Sequence, residues 1–242
     1  MRLNNKNILV FGGDSFLWDE MFVCFIESGA HIYWVNSPVV FESSTSTVEK
    51  KAFDTIQSIE TYETFLNQNF EVLPNFDGVV FSLSIGALRP LNLTKHTNLA
   101  SLFEVNCMAF VELVRILNKK KKINDGGSIL AYSSVSSLMG LKTKLAYAVS
   151  KAALNSAVIN LAAELSSKKI RVNGILKGAL TTDVNHEHVK NMFTVSSDTA
   201  GNQELGMSTP TELANLSIFL LCDQVKTMTG TLVKLDGGYS LG

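Results

Sequence analysis

Short apolar runs alternate with longer stretches of helical period along most of the chain. Asn7 to Phe11 is apolar and closed by Gly12-Gly13, the form of a buried strand. A helical stretch to Ser28 follows, and Ala30 to Val35 reads as a second strand. Residues 36–51, polar and rich in Ser and Thr, predict a loop; Phe53-Asp54 ends a third short strand, and Ile56 to Asn69 is helical. Gly78 to Leu83 is the fourth strand. Thr97 to Leu117 carries Leu102, Val105, Ala109, Leu113 and Leu117 at helical spacing. Ser128 to Tyr132, Ile170 to Leu176 and Leu232 to Leu235 complete the strands. Between them lie the helices Ala146 to Leu165 and Pro210 to Leu221, the latter opened by Ser208 or Thr209 as cap. This alternation predicts an α/β fold: one doubly wound domain over 1–242, with a parallel sheet of about seven strands and helices on both faces. Residues 181–206 break the pattern. They are polar, hold Gly201 and Gly206, and follow the sixth strand, where a lid over a ligand crevice is expected.

Composition narrows the function. Of 242 residues 46% are apolar and 18% charged, as in a soluble globular protein. A net charge of −1 leaves no electrostatic footprint for nucleic acid or an anionic membrane. The basic run Lys119 to Lys122 reads as a solvated helix end. No apolar stretch reaches the roughly 20 residues of a membrane span, and the N-terminus lacks a signal-peptide apolar region. Cys24, Cys107 and Cys222 are odd in number and widely spaced, which predicts reduced thiols in a cytoplasmic protein. His186 and His188 have no further Cys or His nearby, so no metal is expected.

Chemistry enters with Ser134, Tyr147 and Lys151. Tyr-x-x-x-Lys on a helix places both side chains on one face, a single turn apart. An ammonium there lowers the phenol's pKa from about 10 toward working pH. A hydroxyl from Ser134, at a strand end, would hold a substrate oxygen against Tyr147. The set forms a general acid/base facing a carbonyl or alcohol.

These residues, with others, resemble the short-chain dehydrogenase/reductase family over nearly the whole chain, and within it the 3-oxoacyl reductases. Ser134 lies thirteen residues before Tyr147, the family's spacing. Asn106 falls where the family keeps a helix-kinking asparagine. Arg171-Val172-Asn173-Gly174-Ile175, then Gly178 and Thr182, resembles the strand and loop flanking the nicotinamide, and Thr229 to Gly238 resembles the terminal strand. The resemblance implies a Rossmann-type fold and hydride transfer between NAD(P)(H) and a small-molecule carbonyl or alcohol. It implies Tyr147 as proton donor or acceptor, Ser134 positioning the oxygen, Lys151 on the nicotinamide ribose, and Asn106 supporting a water-linked relay. It places the cofactor against Gly12, Ser15, Leu17, Asn36, Asp54, Lys151, Gly178 and Thr182. The substrate pocket is expected along Ser136, Leu138, Met139, Lys142 and the 181–206 loop. The layout implies a homodimer or homotetramer built on the helices around Leu102 to Leu117 and Ala148 to Ala163.

The first βα turn departs from this pattern. The family's Gly-x-x-x-Gly-x-Gly reads Gly12-Gly13-Asp14-Ser15-Phe16-Leu17-Trp18, with aromatics at the second and third glycine positions. Those glycines let backbone approach the pyrophosphate and let helix pack on strand. Phe16 and Trp18 are expected to deny both, Trp18 by pushing the helix away or filling the groove. Asp14 and Asp19 place negative charge where a helix N-terminus should attract phosphate. Phe81-Ser82-Leu83-Ser84 replaces the family's Asn-Asn-Ala-Gly, Lys177-Gly178 replaces Pro-Gly, and Asn36-Ser37 carries neither an NAD-selecting acid nor an NADP-selecting base. Dinucleotide binding is therefore expected to be weak or absent, of unassigned preference. Two readings stay open: an NAD(P)-dependent oxidoreductase, and a non-redox protein that keeps the fold as a scaffold subunit or a cofactor-independent acid/base enzyme. The first stands ahead, because a site released from chemistry would not need all four polar groups.

Overall fold

Seven parallel strands form one sheet in the order β3-β2-β1-β4-β5-β6-β7, in a computed structural model that describes residues 1–13, 15–35, 49–50, 73–86, 88–182 and 203–241, with backbone alone at 15, 16, 49 and 50. The strands are β1 Asn7–Phe11, β2 His31–Val35, β3 Glu49–Lys50, β4 Phe76–Phe81, β5 Ile123–Ser134, β6 Arg171–Lys177 and β7 Leu232–Leu235. The helices are α1 Ser15–Glu27, α2 His96–Phe103, α3 Ala109–Lys119, α4 Leu145–Leu165 and α5 Pro210–Leu221. Helices on both faces of an all-parallel sheet make the fold doubly wound, as the alternation predicted.

The inner strands supply both cores because side chains alternate across the sheet. Leu9, Phe11, Val79 and Phe81 pack with Phe110, Leu113, Leu117, Leu154 and Val158 of α3 and α4. Ile8, Val10, Val80 and Tyr132 pack on the other face with Trp18, Phe22 and Phe25 of α1 and Leu213 and Ile218 of α5. Helix α5 starts as its sequence requires. The Thr209 hydroxyl accepts from the Glu212 amide at 3.2 Å, Glu212 Oε2 accepts from the Thr209 amide at 2.8 Å, and Pro210 takes the first turn.

Strand β4 begins and ends two residues before the predicted 78–83, and three further departures from the sequence reading are larger. Glu49–Lys50 is paired with Tyr33 and Trp34 of β2, inside a stretch predicted as loop, because two polar residues at a sheet edge carry no apolar signal. Strand β5 extends from Ile123 to Ser134, longer at both ends, since its neighbours hold it: Ile123 pairs with Phe76, and Ser134 with Lys177. The expected helix over 97–117 is divided by a π-helical turn, Glu104–Met108, between α2 and α3. The third strand's end at Phe53-Asp54, the helix over 56–69 and most of the 181–206 segment lie outside the described residues. The order reverses between β1 and β4, so a crevice opens at the carboxyl ends of these strands.

Candidate active site

Lys151 is the most constrained side chain at that edge. It lies on α4, about 1% exposed, and its Nζ donates to the Tyr132 carbonyl of β5 at 3.0 Å. Tyr147, one turn earlier and half-buried, has its ring centroid 5.9 Å from the same Nζ. Burial, with the Lys177 charge, pushes the Lys151 pKa down from 10.5 to about 7; the Cys107 thiol acts weakly the other way. Ser134 closes β5, and its Oγ accepts from the Ser136 amide at 3.2 Å, capping the short helical turn Val135–Leu138. The Ser133 hydroxyl donates to the Lys151 carbonyl at 3.3 Å and ties α4 to β5 beneath the site.

Asn106 sits in the π-helical turn, fully buried. Its Oδ1 accepts from the Ile85 amide at 2.8 Å; its Nδ2 donates to the Ile85 carbonyl at 2.9 Å and the Ser150 hydroxyl at 2.9 Å. Ser150 in turn donates to the Tyr147 carbonyl at 2.8 Å. One polar chain thus links the loop after β4, the π turn and the helix carrying Tyr147 and Lys151. The widened turn lets one amide reach both neighbours, as π-bulges do at functional sites.

The glycine turn is built differently from the expectation. Trp18 is completely buried in the core under the turn and does not fill a surface groove. Its Nε1 donates to the Ser82 hydroxyl at 3.3 Å, and its ring stacks on Tyr132 at 6.1 Å between centroids. The Trp34 indole of β2, unforeseen in the sequence, donates to the Gly12 carbonyl at 3.1 Å. Gly12 and Gly13 both have positive φ, 80° and 88°. A Cβ on Gly12 would sit 2.6 Å from the Leu83 Cα, and one on Gly13 would strike the Trp18 ring. Both glycines are therefore required by the turn's own conformation and packing. Helix α1 begins at Ser15 with no acid in its first turn. Asp19 is past that turn, where the dipole's influence has fallen off, so its opposition to phosphate is less than expected. Asp14 lies outside the described residues, as does the side chain of Phe16.

Of the other predicted cofactor positions, Leu17 is buried in the α1 core. Gly178 lies against β7: its amide donates to the Leu235 carbonyl at 2.8 Å, and a Cβ would meet the Asp236 Cα at 2.8 Å. Thr182 is half-buried just after the Leu180–Ser208 bridge. The side chain of Ser15, and all of Asn36 and Asp54, fall outside the description. Among the expected pocket residues Ser136 is buried, Met139 packs on Val135, Leu176 and Tyr239, and Leu138 and Lys142 are exposed. The Ser84 hydroxyl, just past β4, is buried with no hydrogen-bond partner. An orphaned hydroxyl just past β4 and a buried ammonium beside the end of β5 fit a polar ligand such as a dinucleotide.

A family model described as enoyl-(acyl carrier protein) reductase matches residues 42–240, which include Asn106, Ser134, Tyr147, Lys151 and Gly178. The chain belongs to the short-chain dehydrogenase/reductase family. Relatives along the chain are named dehydrogenases, and this short-chain dehydrogenase/reductase is an NAD(P)-dependent oxidoreductase. The matched range begins after the glycine turn, where the chain departs from the family pattern. The 7alpha-hydroxysteroid dehydrogenase of Escherichia coli K12 is 25% identical over 98% of this chain and 95% of its own length. The L-rhamnose 1-dehydrogenase (NAD(P)(+)) of Azotobacter vinelandii is 30% identical over 54% of this chain and 51% of its own. The fold matches the FabI–NADH complex of Alistipes finegoldii with a TM-score of 0.82 at 21% identity, covering 98% and 89% of the two chains.

Among the described residues no helix is long and apolar enough to cross a membrane, and no His, Cys, Asp and Glu group could hold a metal.

Proposed function

We propose that this short-chain dehydrogenase/reductase interconverts a carbonyl and an alcohol on a small molecule, with Ser134, Tyr147 and Lys151 as its catalytic residues and Asn106 as a positioning residue. The observation that carries the reading is the buried Lys151 ammonium one turn from Tyr147, at the carboxyl end of the strand that ends in Ser134. A bound nicotinamide dinucleotide supplies or receives the hydride. Ser134 orients the substrate oxygen. Tyr147 gives that oxygen its proton in reduction and takes it back in oxidation, so no free alkoxide forms. Lys151 stabilises the phenolate left on Tyr147 and reaches toward the ribose. Asn106 has every side-chain polar atom engaged, so it acts by holding the loop after β4 against α4; any relay would run past its backbone.

Gly12, Ser15, Gly178 and Thr182 would line the dinucleotide, Leu17 through its backbone alone because its side chain is buried in the core, with Asn36 and Asp54 toward its adenosine end. That Trp18 is tucked beneath the turn supports binding there. The names of the relatives support steroid-like or sugar-like alcohols as the substrate class, with residues 181–206 as a lid. The unpaired thiols Cys24, Cys107 and Cys222 support a cytoplasmic setting.

Tyr147→Phe tests the reading. It removes one hydroxyl, and kcat/KM for carbonyl reduction should fall at least ~10²–10⁴-fold with the melting temperature nearly unchanged. Undiminished turnover would place the proton donor elsewhere.

A further inference from the structure

Gln203 repeats on one side of β5 what Asn106 does on the other. Asn106 pairs both backbone polar groups of Ile85, past the end of β4. Gln203 is 4% exposed and does the same for Ala179, past the end of β6. Its Oε1 accepts from the Ala179 amide at 2.8 Å, and its Nε2 donates to the Ala179 carbonyl at 3.3 Å and to the Gly206 carbonyl at 3.2 Å. A backbone N–H can only donate and a carbonyl only accept, so these partners fix which way the carboxamide points. The Leu205 amide donates to the Gly237 carbonyl at 3.0 Å, which brings a third segment to the same place. A Cβ on Gly178 would lie 3.0 Å from Gln203 Oε1, so glycine at 178 leaves room for the clamp.

The clamp stands at the reacting end of the crevice. Ser134 is the Cα partner of Lys177 across the β5–β6 ladder, so Ala179 lies just beyond the strand end next to that serine. The glycine turn closes β1, on the far side of β4 from β5. Hydride transfer needs the reacting carbons about 3–3.5 Å apart, which confines the nicotinamide ring to the end of β5 where Ser134 and Tyr147 act. The adenosine of a dinucleotide laid across these strand ends then extends toward β1 and β2, away from Ala179. Resting on the proposed function, we infer that Gln203 is a positioning residue for the nicotinamide end of the dinucleotide, fixing the Ala179 backbone before the ligand arrives. Without the clamp Ala179 is ordered only on binding, and fixing one residue's backbone is worth about a factor of ten in an equilibrium constant. That cost falls on the ring at β5 and β6 and spares the adenosine diphosphate portion.

Calorimetric dissociation constants for NADH against ADP-ribose, or NADPH against 2′-phospho-ADP-ribose, test this without turnover, because the second ligand of each pair lacks the nicotinamide ring. Gln203→Met keeps the side chain's size and removes its hydrogen bonds. In this variant the dinucleotide should bind roughly tenfold more weakly, with the constant for the ring-less ligand unchanged within about twofold. A residue that merely stabilised the fold would weaken both ligands together or neither. Amide exchange on the unmodified protein gives the reading should the methionine variant fail to fold: the Ala179 amide should be protected without ligand, and dinucleotide should slow its exchange by no more than about threefold. Equal weakening of both ligands, no weakening of either, or an Ala179 amide protected only after binding overturns the inference and leaves the proposed function standing. Failure of the unmodified protein to bind either NADH or NADPH overturns both.

Discussion

Lys151 shows how far a single residue departs from what its place in a motif suggests. The motif gives an ammonium one turn from a phenol; it does not give the packing that makes this lysine cost free energy to bury. With its folded pKa depressed to about 7 from 10.5, Lys151 is charged in the unfolded chain at pH values where it is neutral in the folded one. The unfolded state then binds more protons, so stability rises with pH across that window. Below about 7 both states are charged and the full penalty is present; above about 10.5 both are neutral and it is gone. In the cofactor-free protein Lys151→Met should therefore raise the melting temperature most near pH 6, with a gain that shrinks steadily toward pH 10. A gain independent of pH would assign the effect to packing alone. Lys177, by contrast, was visible as a departure from Pro-Gly, but not its Nζ lying 5.4 Å from the Tyr132 ring centroid, which depends on the pairing of β6 with β5.

At the scale of elements, the π-helical turn and the glycine turn each do what periodicity cannot reveal. Apolar spacing over 97–117 reads as one continuous helix because the inserted residue alters the register by a single position. Asn106, placed there, pairs both polar backbone groups of Ile85. Asn106→Ala leaves those groups unpaired and should cost about 2–3 kcal/mol in urea unfolding, whereas Ser150→Ala should cost no more than about 1.5 kcal/mol. Equal losses would mean that the bracing of Ile85 is not what the amide contributes. The packing of the glycine turn also bears on what glycine at 16 and 18 would do. Trp18 is fully buried among Phe22, Phe25 and Tyr132. Its removal would open a cavity costing about 3–5 kcal/mol, and glycine in the helix would add about 1 kcal/mol. Trp18→Gly should thus unfold or severely destabilise the protein, and circular dichroism melts would show it before any binding gain. A sequence shows which residue replaced a glycine; whether its side chain turns into the crevice or the core is settled by aromatic neighbours on its own helix and on β5.

For the whole molecule, the sheet was the most legible level. Six of the seven strands follow from apolar runs separated by helical stretches, since strands buried on both faces leave a strong signal. Only the two-residue edge strand β3, with one neighbour and no apolar run, left none. Assembly is the remaining question, and α4 bears on it directly. One side of this helix buries Leu154, Val158 and Leu165, yet Leu145, Val149 and Ile159 lie 41–49% exposed at helical spacing on the other, beside the small residues Ala152 and Ser156. Met108, at the end of the π turn, is a further exposed apolar side chain, 47% exposed. A helix apolar on all sides is normally buried on all sides, and small residues allow another helix to approach closely. We propose that this face pairs with its copy across a two-fold axis, as a dimer or as half of a tetramer. Light scattering at micromolar concentration should give at least twice the chain mass. Ile159→Glu would place two like charges near the axis in the assembled state; it should shift the mass toward the monomer while leaving the circular dichroism spectrum intact. A monomeric mass for the unmodified protein would mean that the apolar stripe on α4 serves another partner or none. The exposed Leu145, Val149 and Ile159 would then predict poor solubility at high concentration, because an uncovered apolar stripe of that length is a site for non-specific association.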